Sequence, residues 1–203
     1  IYYLRSGGDI SFVHGQRDIA RVLHRLGGYT QHWGVASNEA ATFAELATYG
    51  TLSGGHGTPD DLLNSRLIIM WGWDPASTIQ DTNTAWYLAQ ARDRGCHIIS
   101  VDPRYTDTAV ALAGQWIPLR PGGDTAMLLA MAYVLVRDEL HDQRFLDRYT
   151  VGFGQFRDYV MGTEDGQPKS PRWAEGIAGV PAAVIEELAR KYATIKPAAL
   201  IAG

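Results

Sequence analysis

The sequence predicts an α/β fold in which a mostly parallel sheet carries helices on both faces, and three observations lead there. His97–Val101 is a short, β-branched apolar run bounded by Gly95 before it and Pro103 after it, as in a strand buried on both sides. Arg66–Trp71 (R-L-I-I-M-W) is a second such run, and the helical stretch Asn83–Arg94 between them completes a βαβ unit. The succession of strand, polar loop and helix start then recurs, once at Asp102-Pro103-Arg104 and again at Arg120-Pro121-Gly122-Gly123. In an open, Rossmann-like sheet the loops at the carboxyl ends of the strands form the ligand crevice. These loops are therefore read as a nucleotide-type cofactor site.

In chain order, Ile1–Leu4 reads as a strand entering the turn-forming loop Arg5-Ser6-Gly7-Gly8-Asp9. Ile19, Val22, Leu23 and Leu26 fall at helical spacing over Gln16–Leu26, and Gly27-Gly28 stops that helix. Tyr29–Gly34 is an irregular aromatic segment. Ser37 suits an N-cap for a helix over Ala40–Ala47, since its hydroxyl can accept from a free amide of the first turn. A glycine-rich loop spans Leu52–Pro59, and Asp60–Asn64 is a short helical turn. After the strand Arg66–Trp71 comes the loop Gly72–Thr78. The helix Asn83–Arg94 offers Trp86, Leu88, Ala89 and Ala91 for one face. A helix starts near Thr106, a strand covers Gln115–Leu119, and an apolar helix covers Thr125–Val136. His141–Tyr149 is helical, Asp158–Lys169 reads as a surface turn region, and Trp173–Ile177 and Pro181–Tyr192 are helices. Pro181 stands in the first turn, where a missing amide matters least. Ala198–Gly203 is a closing buried strand.

The 203 residues suffice for one large domain or two small ones. Residues 61–203 are read as the cofactor-binding domain, and residues 1–60 as a piece packed with a neighbouring domain. A strand at each extremity leads us to expect a segment of a longer protein. The net charge of −4 and the lack of a basic run argue against a nucleic-acid partner. The single cysteine, Cys96, excludes an internal disulfide framework and a four-cysteine metal site within this chain. No apolar run reaches the ~18 residues of a membrane span.

Asp102 directly follows a buried strand. Its carboxylate can accept from a ribose diol or a guanine edge, or it can cap a turn. Asp124 opens a helix behind two glycines, where capping and the helix dipole would also place an acid. Amides at Gly122 and Gly123 can cradle a phosphate. There is no G-x-G-x-x-G or Walker A string and no G-x-S-x-G frame around Ser37. The six histidines, His14, His24, His32, His56, His97 and His141, show no metal-binding pairing.

Three strings share a pattern: W-G-W-D-P-A-S-T from Trp71, V-D-P-R-Y-T-D-T from Val101, and W-I-P-L-R-P-G-G-D-T-A from Trp116. Together they resemble the catalytic subunit of molybdopterin oxidoreductases of the dimethyl sulfoxide reductase family. The resemblance runs from Gly27-Gly28-Tyr29 to Lys196–Gly203 and includes His141–Tyr149 and Ser170–Ala174. It implies a molybdenum bis-(molybdopterin guanine dinucleotide) cofactor, with Trp73, Asp74, Ser77 and Thr78 along a first loop holding one dinucleotide. Val101, Asp102 and Arg104 lie on the second loop, and Gly122, Gly123 and Asp124 on the third. Ser37 matches the position that supplies a serine oxygen to molybdenum in this branch, which would make it both metal ligand and catalytic residue. The implied reaction removes an oxygen atom from a small S- or N-oxide. The implied partners are the remainder of the catalytic subunit, which carries an iron–sulfur cluster in its N-terminal part, an iron–sulfur electron-transfer subunit and a membrane anchor subunit. The implied location is the outer face of a bacterial inner membrane. Two alternatives stay open: a serine-ligated enzyme of another reaction type, such as a transhydroxylase, and a non-catalytic α/β ligand-binding domain. The chain departs from the branch around the ligand, with Gly34-Val35-Ala36-Ser37 where G-D-Y-S is usual. Ser6-Gly7-Gly8-Asp9 also stands where the sulfoxide reductases carry aromatic residues.

Overall fold

A computed structural model describes residues 1–4, 15–31, 39–51, 57–78 and 83–202. The chain divides into two compact units, Ile1–His56 and Gly57–Gly203. In the first, β1 (Tyr2–Tyr3) pairs in parallel with β2 (Thr30–Gln31). The aromatic segment after Gly28 thus contributes a short strand that the sequence reading lacked. Helices α1 (Gly15–Arg25) and α2 (Glu39–Tyr49) are its other elements among the described residues. The Gly28 amide reaches back to the Leu23 carbonyl at 3.0 Å, and both glycines take positive φ, which ends α1 as expected. The apolar stripe Ile19, Val22 and Leu26 is exposed.

The second unit begins with a 3-10 turn over Pro59–Asn64. It holds one four-stranded parallel sheet in the order β5-β4-β3-β6, formed by β3 (Leu67–Trp71), β4 (His97–Val101), β5 (Gln115–Ile117) and β6 (Ala198–Ala202). Between the strands run α3 (Thr84–Asp93), α4 (Asp107–Leu112), α5 (Asp124–Arg137), α6 (Gln143–Tyr149), α7 (Phe153–Met161), α8 (Pro171–Ala178) and α9 (Ala182–Thr194). Successive β3 residues point to opposite faces. Leu67, Ile69 and Trp71 join a core with α5, α8 and α9, while Ile68 and Met70 join one with α3, Leu62 and Leu112. Both faces are therefore covered, as the unbroken apolar runs of β3 and β4 require. The strands step outward from β3 to β5, and the chain then returns to place β6 on the other side of β3. That reversal is the topological switch point of a doubly wound sheet.

Several elements differ from expectation. Strand β5 stops at Ile117 because Pro118 has no amide to give the ladder, although Leu119 stays buried. Trp86 is exposed, so the buried face of α3 is Thr84, Leu88 and Ala91. Residues 158–161 are helical rather than turn, since α7 packs Val160 fully into the interior and only then reverses at Gly162. Pro181 is the N-cap of α9, and the proline in a first turn is Pro171 of α8.

Candidate functional site

Three loops leave the carboxyl edge of the sheet, and hydrogen bonds fasten them to one another. In the first, after β3, the amides of Ser77 and Thr78 fold back onto the Asp74 carbonyl at 3.0 and 2.8 Å. Asp74 then reaches across to α4, where the buried Thr108 hydroxyl donates to its Oδ1 and accepts from the Ala76 amide at 3.0 Å. Burial works to raise the Asp74 carboxyl. The hydrogen bonds from Thr108 and Ser77 and the charge of Arg104 outweigh it and hold the group below the usual carboxylate range. The Arg104 guanidinium stands 3.9 Å from Asp74 Oδ2.

The second loop turns on Asp102. Its Oδ1 accepts the Arg104 amide at 2.7 Å, the geometry of an Asx turn. Its own amide continues the ladder to the Ile117 carbonyl at 3.2 Å, and its carbonyl accepts the Trp116 indole at 2.8 Å. Asp102 is only 7% exposed, yet among the described residues no donor reaches its Oδ2. A buried carboxylate oxygen without a protein donor is a place for a ligand hydroxyl or amine. Thr106 caps α4, accepting the Ala109 amide at 3.2 Å.

The third loop runs from Arg120 into α5. Gly122 has a φ of +82°, which favours glycine. Gly123 has a packing reason for lacking a side chain, because a Cβ there would lie 2.7 Å from the Ala178 Cα. Its amide also closes the turn onto the Arg120 carbonyl at 2.9 Å, so it is not a spare donor for phosphate. Asp124 is the first residue of α5 and makes no side-chain cap. Its Oδ1 instead accepts the Trp71 indole at 2.9 Å, joining the third loop to the end of β3.

Asp74, Asp102 and Arg104 thus come together through these contacts, with Ser77 and Thr78 exposed on the first loop, while Asp124 is tied separately to the end of β3. Trp73 packs against the α3-side core, and the Val101 side chain is fully buried with its carbonyl taken by the Gly72 amide. Trp73 keeps part of its surface exposed, while the Val101 side chain is closed off from solvent. Ser37 lies outside the described residues, as do Ser6–Asp9 and His32. Sequence reasoning missed Thr108 and Trp71 as fasteners. A buried threonine in the first turn of a six-residue helix was the available signal. Among the described residues no three His, Cys, Asp or Glu side chains form a metal site, and no helix is long and apolar enough to cross a membrane. A cavity of about 370 Å³ opens at the opposite, amino edge, between the starts of β4 and β5 and the end of α9. Cys96 lines it, its thiol pushed up to about 11 by burial.

A parallel, doubly wound sheet is an α/β architecture whose ligand crevice lies along the carboxyl edge. The molybdopterin oxidoreductase family model matches residues 11–202, and the chain belongs to that family. Over 95% of its length it is 37% identical to the dimethyl sulfoxide reductase DmsA of Escherichia coli (strain K12), covering 25% of that protein. It is 32% identical to the trimethylamine-N-oxide reductase of Haemophilus influenzae, covering 90% of this chain and 23% of that one. The chain thus spans about a quarter of the length of the curated relatives it matches. Among solved structures, acetylene hydratase from Pelobacter acetylenicus superposes with a TM-score of 0.65 at 21% identity, over 95% of this chain and 29% of that one, a likeness of fold. Membership implies a molybdenum–pterin cofactor for the protein.

Proposed function

We propose that the chain is part of a molybdenum oxidoreductase that reduces a small S- or N-oxide. Its sheet edge would hold one dinucleotide of a bis-(molybdopterin guanine dinucleotide) cofactor. The observation that carries this reading is the buried, half-satisfied carboxylate of Asp102 beside the exposed guanidinium of Arg104. A nucleotide offers what those groups lack: hydroxyl or amine donors for Asp102 Oδ2 and phosphate charge for Arg104. The residues present therefore fit such a group.

Asp102 would accept from the ribose or guanine polar groups, with its orientation already set by the Arg104 amide and the Ile117 carbonyl. Asp124 would keep one oxygen on Trp71 and offer the other to the ligand. Ser77, Thr78 and the Gly122 turn would border the pyrophosphate. Gly123 would act through close packing on α8 rather than as a donor. When bound, the molybdenum–pterin group supplies two-electron exchange and oxygen-atom transfer. Ser37 is proposed as the protein's metal ligand on the strength of its place in the sequence, an alkoxide being a hard donor suited to a high-valent metal.

The test is made on the full-length protein, expressed in a host that makes the cofactor. Molybdenum and guanine should co-purify, and reduced dye should be oxidised by dimethyl sulfoxide or trimethylamine N-oxide. Asp102→Ala should lose both metal and activity. A wild-type protein without molybdenum or guanine would leave only an α/β ligand-binding domain.

A further inference from the structure

We propose that Tyr105 and Trp116 form a stacking platform for the planar base of a bound nucleotide, at the β5 side of the carboxyl edge. The proposal rests on the nucleotide reading of that edge and adds the subsite that takes the base. The two rings lie with centroids 5.0 Å apart and planes inclined at 36°. Neither is in the core: Tyr105 is 57% exposed and Trp116 36%. Tyr105 stands on the loop after β4 and Trp116 on β5, and both rings reach solvent.

The platform is braced from beneath. The Trp116 indole donates to the Asp102 carbonyl at 2.8 Å, which fixes the plane of that ring against the loop. The loop is held in turn by the Arg104 amide on Asp102 Oδ1 and by the Asp102 amide on the Ile117 carbonyl. A ring tied down before the ligand arrives loses little conformational freedom on binding, and Tyr105 packs against the one so tied. Every nucleobase presents a π-face to such a surface.

The neighbouring groups match the rest of a nucleotide in chain order. Asp102 carries the carboxylate oxygen that no donor reaches among the described residues, suited to a ribose hydroxyl or a base amine. Two residues on, Arg104 holds a guanidinium whose side chain is 77% exposed, suited to a phosphate. Tyr105 is next, and Trp116 comes up beside it from β5. A carboxylate, a cation and an aromatic surface within four consecutive residues are the three complements that a base, sugar and phosphate need. An anionic ligand without a base would use only Arg104.

The experiment uses the full-length protein prepared without its cofactor, titrated calorimetrically with GDP and with ribose 5-phosphate. Tyr105→Leu should weaken GDP about tenfold, the effect of losing one base–aromatic stack, and leave ribose 5-phosphate unchanged. Tyr105→Phe should bind both probes like the wild type. GDP binding that is unchanged in Tyr105→Leu would overturn the platform while leaving the nucleotide site standing. Loss of both probes in Tyr105→Leu would assign Tyr105 to loop architecture and also overturn the platform. A wild-type protein that binds neither probe would remove the nucleotide reading, and the platform with it.

Discussion

The Trp71 indole and the Asp124 carboxylate meet at 2.9 Å across 53 residues of chain, locking the last residue of β3 to the first of α5. Asp124→Ala should cost about 1.5–3 kcal/mol, the usual worth of a hydrogen bond to a charged group. Asp124→Asn keeps an acceptor and should lose less. Thermal melting of the full-length protein reads the difference, and equal losses would show that charge rather than the bond matters.

Thr108→Val should destabilise by about 1–3 kcal/mol, because it removes a donor from the Asp74 carboxylate and the acceptor of the Ala76 amide together. Thr108→Ser should restore most of that.

The same site predicts a pH dependence. The folded Asp74 carboxyl sits below its unfolded value of ~3.9, so its stabilisation is fully present above that pH. It is lost as pH falls from about 4 through the lower folded value. The stability gap between wild type and Thr108→Val should therefore be widest near neutrality and narrow in acid. Denaturant titrations at pH 7 and pH 3 measure it, and a gap that widens in acid would refute the assignment.

Gly123→Ala should be destabilising by about 1–3 kcal/mol, as overpacking usually is. The new methyl would meet the Ala178 Cα at 2.7 Å, and backbone cannot step aside like a side-chain tip. Gly122→Ala meets no neighbour within 4 Å and should cost less, through its positive φ alone. A lower melting point for the Gly122 variant would reverse this account.

Ser37→Ala in the full-length protein should abolish oxide reduction while guanine content persists, if its oxygen binds the metal. Asp102→Ala should lose guanine as well. Metal and nucleotide analysis beside dye-oxidation assays separate the two.

The sheet was legible because β3 and β4 are short β-branched runs, and burial on both faces leaves that mark whatever the neighbours are. The end of helix α7 was not, since Gly162, Asp165, Gly166 and Pro168 made Asp158–Lys169 read as a surface turn. What makes the segment helical is the docking of Val160, a tertiary effect. The acids of the edge were legible as residues but not in their roles. Asp102 and Asp124 could each be read as a cap or as an acceptor for a ligand. In the structure one braces a turn with a single oxygen and the other holds an indole that sequence spacing could not have pointed to.

Of the four strands of this sheet, β6, which pairs with one flank of β3, is made last. While the chain is being synthesised, β4 and β5 can dock on one flank of β3, but the opposite flank stays bare until Ala198–Ala202 leaves the ribosome. That bare flank is a fully apolar strand with open amides and carbonyls, a template for illicit pairing with another nascent chain. Proline substitutions at Ala199 and Ile201 in the full-length protein, which would block pairing with β3, should therefore give insoluble product.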